Sequence, residues 1–282
     1  MTDVQVEDFE AHRPSLWAIA YRMLGSASEA EDVVQETWLR WQSASREGIR
    51  SGRAFLSAVA TRLCLDHLKS ARARREVYVG PWLPEPVHTD AQVDPETISF
   101  AFLVLLESLT PMERAVYLLN EVFGYSHAEV AQMLGKEEAS CRQLLHRARE
   151  HLVSRRPRFA PSKEAHARMV TSFLSACSSG DLEGIKRLLA EDVTAWADGG
   201  GKVSAATRLV HGVEAVARQY QGLLNKMMKV PGSTLETSEV NGWPALVVRL
   251  NGAVFDVISF ETDGERIHAI HAVLNPDKLA RL

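Results

Sequence analysis

A chain of 282 residues is long enough for two or three compact domains, each burying its own core. With 46% hydrophobic and 24% charged residues the composition is that of an ordinary globular protein, and a net charge of −4 excludes an overall basic nucleic-acid binder, so any DNA contact has to be local. No apolar run reaches the ~18 residues of a membrane span, and the acidic, polar N-terminus MTDVQVEDFEAHRP excludes a signal peptide. Three cysteines (Cys64, Cys141, Cys177) without a C-x-x-C pair predict neither a disulfide framework nor a zinc or other metal site, and fit a reducing cytoplasm.

The first domain, 1–76, reads as all helix. Leu16, Ile19, Ala20, Met23 and Leu24 recur at helical spacing until Gly25. A second helix is expected from Ser28, with Ser28 and Glu31 as a capping box, to about Trp41. Its stripe of Val34, Trp38 and Trp41 faces a core, which leaves Asp32, Gln35, Glu36 and Leu39 on the opposite side. A loop over 43–52 leads to a long helix, about 54–74, whose end is basic: 62–76 holds five basic and two acidic residues. Arg62, Lys69, Arg72, Arg74 and Arg75 are candidates for contacts with a nucleic-acid backbone.

Prolines 81, 84, 86 and 95 forbid a helix over 77–97, so this stretch is expected to be an extended linker. Helices resume over 98–155. Thr110, Pro111 and Glu113 form one helix start and Ser126 with Glu129 another. A short helix, the Gly135 turn and a final helix over about 139–153 together read as a helix-turn-helix. In that last helix Cys141, Leu145, Ala148 and Leu152 share one face and predict a buried stripe. Arg142, Gln143, His146 and Arg147 are then exposed near its N-terminal half, suited to a major groove.

From 163 to 282 the pattern turns α+β. Helices are expected over 164–179, 182–190 and 212–229, followed by strands over 234–239, 245–250, 254–261 and 267–274. Asn241-Gly242, Asn251-Gly252 and Asp263-Gly264 signal hairpins, hence an antiparallel sheet packed by helices.

The segments carry a resemblance. EAEDVVQETWLRW resembles region 2.2 of the extracytoplasmic-function sigma factors of bacterial RNA polymerase. The next helix resembles regions 2.3 and 2.4, and TPMERAVYLLNEVFGYSHAEVAQMLG with the recognition helix resembles region 4. The resemblance implies that Asp32, Gln35, Glu36 and Leu39 contact core polymerase. It implies that the 43–53 loop and the helix after it, through Arg62, Lys69 and Arg72, engage melted −10 DNA, and that Arg142, Gln143, His146 and Arg147 read the −35 element. This sequence has Leu144 where the family commonly has an arginine. The C-terminal part is similar to SnoaL-like cones. Trp82-Leu83-Pro84-Glu85-Pro86, Asp198-Gly199-Gly200-Gly201-Lys202 and Asn275-Pro276-Asp277-Lys278-Leu279 match the subgroup that fuses such a cone to the sigma domains and uses it for control in cis. Trp82, Pro84, Pro86, Asp198, Lys202, Asn275 and Asp277 are the expected interdomain residues.

Two other readings are weighed beside this one. In an enzyme, Asp198 would be a base with His211, His268 or His271 as acid, but His268 and His271 sit three apart on a strand and point to opposite faces. Asp198 before three glycines reads more simply as a turn. In a ligand-responsive regulator, the helix-turn-helix alone would bind DNA, and the acidic docking helix would have no task. The expected partners are core polymerase and promoter DNA, with a small ligand in the cone as a further one and no membrane. No catalytic residue and no cofactor are expected.

Overall fold

The computed structural model describes residues 3–45, 48–76, 78–88, 99–153 and 161–282. It divides into two compact units. The first holds the helices of the two N-terminal domains from 3 to 76 and from 102 onward; the second holds the 163–282 domain together with 78–88 and 99–101.

In the first unit, α1 (Asp3–Leu24), α2 (Ala27–Ser43) and α3 (Gly52–Glu76) pack into a bundle. The helix start of α2 corrects the expectation: Ser26, not Ser28, is the N-cap, its hydroxyl accepting from the Glu29 N–H. Ser28 instead bonds to the Ser26 hydroxyl at 2.9 Å. Ala30, Val33, Val34, Thr37 and Trp41 form the buried stripe of α2, whereas Trp38 is only half-buried against Phe9.

The helix-turn-helix domain comprises α4 (Phe100–Leu106), α5 (Pro111–Tyr117), α6 (His127–Leu134) and α7 (Glu138–Val153). A π-helical turn, Leu118–Val122, continues α5. Both capping boxes form as the sequence predicts, Thr110 with Glu113 and Ser126 with Glu129. Gly135 closes α6 in the left-handed conformation, φ 62°, where a side chain would be strained.

The second unit is a six-stranded sheet in the order β2-β1-β6-β5-β4-β3. Its strands are β1 (Leu189–Asp198), β2 (Val210–His211), β3 (Ser233–Val240), β4 (Trp243–Leu250), β5 (Ala253–Thr262) and β6 (Ile267–Val273). Helices α8 (Lys163–Ser179), α9 (Leu182–Leu188) and α10 (Val213–Met227) cover one face, and α11 (Pro276–Leu279) follows β6. Met169, Phe173, Ile185, Tyr220, Ile258 and Ile270 meet in the core. This is the helix-covered sheet expected of a SnoaL-like cone.

Two expectations are corrected. The stretch read as the end of a helix near 190 opens β1, and β1 pairs parallel to β6, so the sheet is mixed. The Asn-Gly hairpins close as two-residue loops with both residues at positive φ, 51° and 77° at Asn241-Gly242 and 51° and 86° at Asn251-Gly252. That is the turn whose twist matches paired strands. Asp263-Gly264 instead begins a four-residue loop between the paired residues Thr262 and Ile267.

Candidate functional site

The outward face of α2 carries Asp32 and Gln35, both exposed, and the partly exposed Glu36. Leu39 beside them is 52% exposed, an apolar side chain the fold leaves in solvent. Glu36 pairs with Arg40, one helical turn away, at 3.0 Å. An exposed pair of that kind contributes little and is readily exchanged for another partner.

In α7, Cys141, Leu145, Ala148 and Leu152 are all buried, as their spacing predicts. Arg142, Gln143, His146 and Arg147 are exposed. Arg142 pairs with Glu138 on its own helix, and Arg147 lies 3.9 Å from Glu113.

Three arginines join the helix-turn-helix to the first bundle. Arg53 donates to the Phe123 carbonyl at 2.8 Å and stacks over the Tyr125 ring. Arg62 donates to the Met133 carbonyl at 2.8 Å, and Arg114, 3% exposed, donates to the Met23 carbonyl at 2.7 Å. The acceptors are last-turn carbonyls of α6 and α1 and the residue ending the π-turn, groups a helix leaves unsatisfied. Ser57 and Tyr125 share a buried hydroxyl–hydroxyl bond of 2.9 Å at the same contact. Arg62, read from sequence as a DNA contact, is therefore engaged with α6. Lys69 is exposed and paired with Asp66 at 2.8 Å, and the side chains of Arg72, Arg74 and Arg75 lie outside the described residues. Loop residues 48–51 and the start of α3, with Phe55 and Val59, line a cleft of about 600 Å³ whose other wall is Glu129, Gln132 and Met133 of α6.

In the second unit, Val193, Ala195 and Ala197 of β1 face the helices. Alternation therefore turns Trp196 and Asp198 to the opposite face. Asp198 has no exposed surface. Its carboxylate accepts from the Tyr78 hydroxyl at 2.6 Å, the Leu83 N–H at 2.9 Å, the Gly200 N–H at 3.1 Å and the Lys278 ammonium at 2.7 Å. Its backbone carbonyl accepts from the Leu274 and Asn275 N–H groups.

Lys278 also donates to the Leu83 carbonyl and sits 4.1 Å from the centre of the Trp82 ring. The Asn275 amide donates to the Tyr78 hydroxyl, and Lys202 pairs with Asp277 at 2.6 Å. Leu83 through Val87, with Pro84 and Pro86, are buried, and Val87 exchanges two hydrogen bonds with Asn241. Residues 78–88 thus form a strap on the sheet domain; 89–97 of the expected linker lie outside the described residues.

The turn read after Asp198 is present, with the Gly200 N–H on the Asp198 carboxylate and the Lys202 N–H on the Gly199 carbonyl, and the same carboxylate is the centre of the strap's attachment. The glycines after it have a steric cause. A Cβ on Gly200, φ 59°, would lie 2.4 Å from the Asn275 amide nitrogen, and one on Gly201, φ 72°, 3.2 Å from Val79. Sequence reasoning missed Tyr78, Lys278 and Asn241; an aromatic at the start of a proline-rich stretch and a lysine inside the Asn275–Leu279 motif were the available signals.

The residues weighed for catalysis are not assembled for it. Asp198 already accepts from four donors. His268 is paired with Asp263 at 2.7 Å, and His211 is exposed on β2. His271 is buried between Trp196 and Phe100, and burial lowers its pKa to about 4.

A three-helix bundle followed by a helix-turn-helix with an exposed basic and amide face is the architecture of a promoter-reading subunit of a transcription machine. The comparisons agree. The Sigma-70 region 2 family matches residues 9–74 and the Sigma-70, region 4 family matches 99–152. The chain is 37% identical to the ECF RNA polymerase sigma factor SigJ of Mycobacterium tuberculosis, over 98% of this chain and 93% of that protein. It is 32% identical to the probable ECF RNA polymerase sigma factor SigI of the same organism, over 96% of this chain and 93% of that one. The crystal structure of the M. tuberculosis SigJ superposes with a TM-score of 0.78 at 34% identity, covering 98% of both chains. The chain belongs to the ECF RNA polymerase sigma factors. It directs core RNA polymerase to promoters and takes part in initiation. Among the described residues no helix is long and apolar enough to cross a membrane.

Proposed function

We propose that α2 docks this sigma factor on core polymerase through Asp32, Gln35, Glu36 and Leu39, and that α7 reads the −35 element through Arg142, Gln143, His146 and Arg147. The division of α7 into a buried stripe and a basic, amide-bearing outer face carries this reading. The −10 element is opened by the 48–51 loop and α3, whose cleft takes an unstacked base. In the arrangement seen here α6 walls that cleft and Arg62 is held by α6, which supports a closed state that opens when the factor engages polymerase and promoter. The C-terminal domain controls the sigma domains in cis by holding the strap that connects them, and a small ligand in its cone is the signal to which it responds.

Replacing Gln35 and Glu36 by alanine together is expected to weaken core polymerase binding roughly tenfold, about 1.4 kcal/mol, without changing the melting temperature. Unchanged affinity in a fluorescence titration with core polymerase refutes the docking assignment. Arg142→Ala and Arg147→Ala are expected to leave polymerase binding intact and to weaken −35 DNA binding. The loss is about 1–3 kcal/mol at one base position for a base-reading arginine, and uniform across sequences for a phosphate contact. Binding to −35 duplexes that matches wild type in both variants removes α7 as the reading helix.

A further inference from the structure

Within the second unit a cavity of about 540 Å³ opens between the sheet and α10. Its walls are mostly apolar, with Tyr220, Leu224, Phe255, Ile258 and Leu274 among them, and Asp256 is the acidic group that lines it. The volume falls in the range of pockets that enclose a drug-sized molecule. An aspartate there is anomalous, because β5 reads Val254-Phe255-Asp256-Val257-Ile258 and Val257 and Ile258 beside it are buried.

The backbone explains how Asp256 reaches the cavity. Val248 pairs with Asp256 and Arg249 with Val254, so Phe255 is an extra residue, a β-bulge, immediately before it. Bulges re-aim side chains, and both Phe255 and Asp256 end up lining the cavity. The carboxyl has a backbone hydrogen bond from Val257, but Oδ1 is shut off from solvent and has no hydrogen-bond partner among the described residues. An unpartnered buried polar atom costs stability, of the order of 1–3 kcal/mol. A fold that keeps one at the wall of an apolar cavity points to a partner that arrives from outside. Lys226 also lines the cavity, but among the described residues no ion pair joins it or another cation to Asp256, and an unpaired buried carboxylate is neutralised by taking up a proton. Burial accordingly raises its pKa well above the usual carboxylate range, and a protonated carboxyl donates a hydrogen bond.

We propose that this cavity binds a neutral, largely apolar small molecule that sets one hydrogen-bond acceptor, a carbonyl or hydroxyl oxygen, against Asp256. The proposal rests on the reading of the C-terminal domain as the controlling part of the chain, and specifies the site and chemistry of its ligand.

The test uses the full chain and 2-acetyl-6-(dimethylamino)naphthalene, a neutral fluorophore with one carbonyl acceptor. Saturable binding of one probe per chain with blue-shifted emission is expected. Asp256→Leu is expected to weaken it about tenfold or more, while Asp256→Asn, which keeps a neutral donor, stays within about threefold of wild type. Both variants are expected to fold, since Asp256→Leu removes an unpartnered polar group from apolar surroundings and its melting temperature should not fall. Absence of saturable binding, or equal binding by Asp256→Leu, overturns the site. Tighter binding of the cation (2-naphthyl)methylammonium, lost in Asp256→Asn, overturns the neutral class. Run-off transcription with and without probe is read separately: binding without a change in transcription keeps the site and rejects the regulatory reading, and a change that survives Asp256→Leu does the reverse.

Discussion

Asp198→Ala is expected to lower the melting temperature of the C-terminal domain by about 10 °C or more and to make residues 78–88 cleavable by chymotrypsin after Tyr78 and Trp82. Four donors converge on this carboxylate, and Lys278, with only 12% of its side chain exposed, is its cationic partner. Deleting one member of a buried pair leaves the other charge uncompensated, at a cost of about 3–5 kcal/mol. For a domain of this size each kcal/mol is worth about 3–5 °C. The strap has two anchors, the Asp198 cluster and the Val87–Asn241 exchange, so loss of the first frees its N-terminal half. Lys278→Met in the Asp198→Leu background should recover part of the loss, because the uncompensated charge is gone. A melting curve and a cleavage pattern identical to wild type would show that the strap is held by something else.

The second large effect concerns the contact between the helix-turn-helix and the first bundle. Arg53→Ala combined with Tyr125→Phe removes a carbonyl cap, a cation–π contact and a buried hydroxyl bond. Together these are worth about 2–3 kcal/mol, which shifts a closed-to-open equilibrium by roughly 30- to 150-fold. Neither residue belongs to the proposed docking or −35 faces, and Arg53 stands at the start of α3, in the proposed −10 region, so the double variant is compared with Tyr125→Phe alone; both are expected to initiate more transcripts at limiting concentration while binding −35 duplex as wild type does. Transcription equal to wild type would mean that the contact does not restrain the factor.

The helical domains were legible because their signals are local. Four positions of α7 at helical spacing predict its buried face, and two capping boxes predict two helix starts. Ser26 displaced Ser28 as a cap because the helix begins at Ala27, which puts Ser28 inside the first turn and leaves Ser26, at φ −130°, with the extended backbone a cap requires. The mixed sheet was not legible. Hairpin dipeptides announce antiparallel neighbours, whereas β1 pairs in parallel with β6 across more than 70 residues, and its Val193, Ala195, Ala197 alternation follows directly on α9. The arginine caps leave no trace in spacing, since an arginine that reaches a carbonyl elsewhere looks like any exposed arginine. That is why Arg62 read as a DNA contact and Arg53 and Arg114 were not singled out. Asp256 went unnoticed although an aspartate inside an apolar strand was there to be seen; its meaning depends on the bulge at Phe255, which only the register reveals.

The proposed closed arrangement is one that promoter binding must open. With Arg62 2.8 Å from the Met133 carbonyl, α3 and α6 are in contact. A promoter spacer of about 16 base pairs instead separates the two DNA elements by roughly 55 Å, at 3.4 Å per step. The direct measurement is the distance between spin labels on exposed Gln42 of α2 and Glu150 of α7, the native cysteines Cys64, Cys141 and Cys177 being buried. The account predicts a short, narrow distribution in the free chain and a separation tens of ångströms longer in the complex with core polymerase and promoter DNA. The same short distance in both states would contradict it.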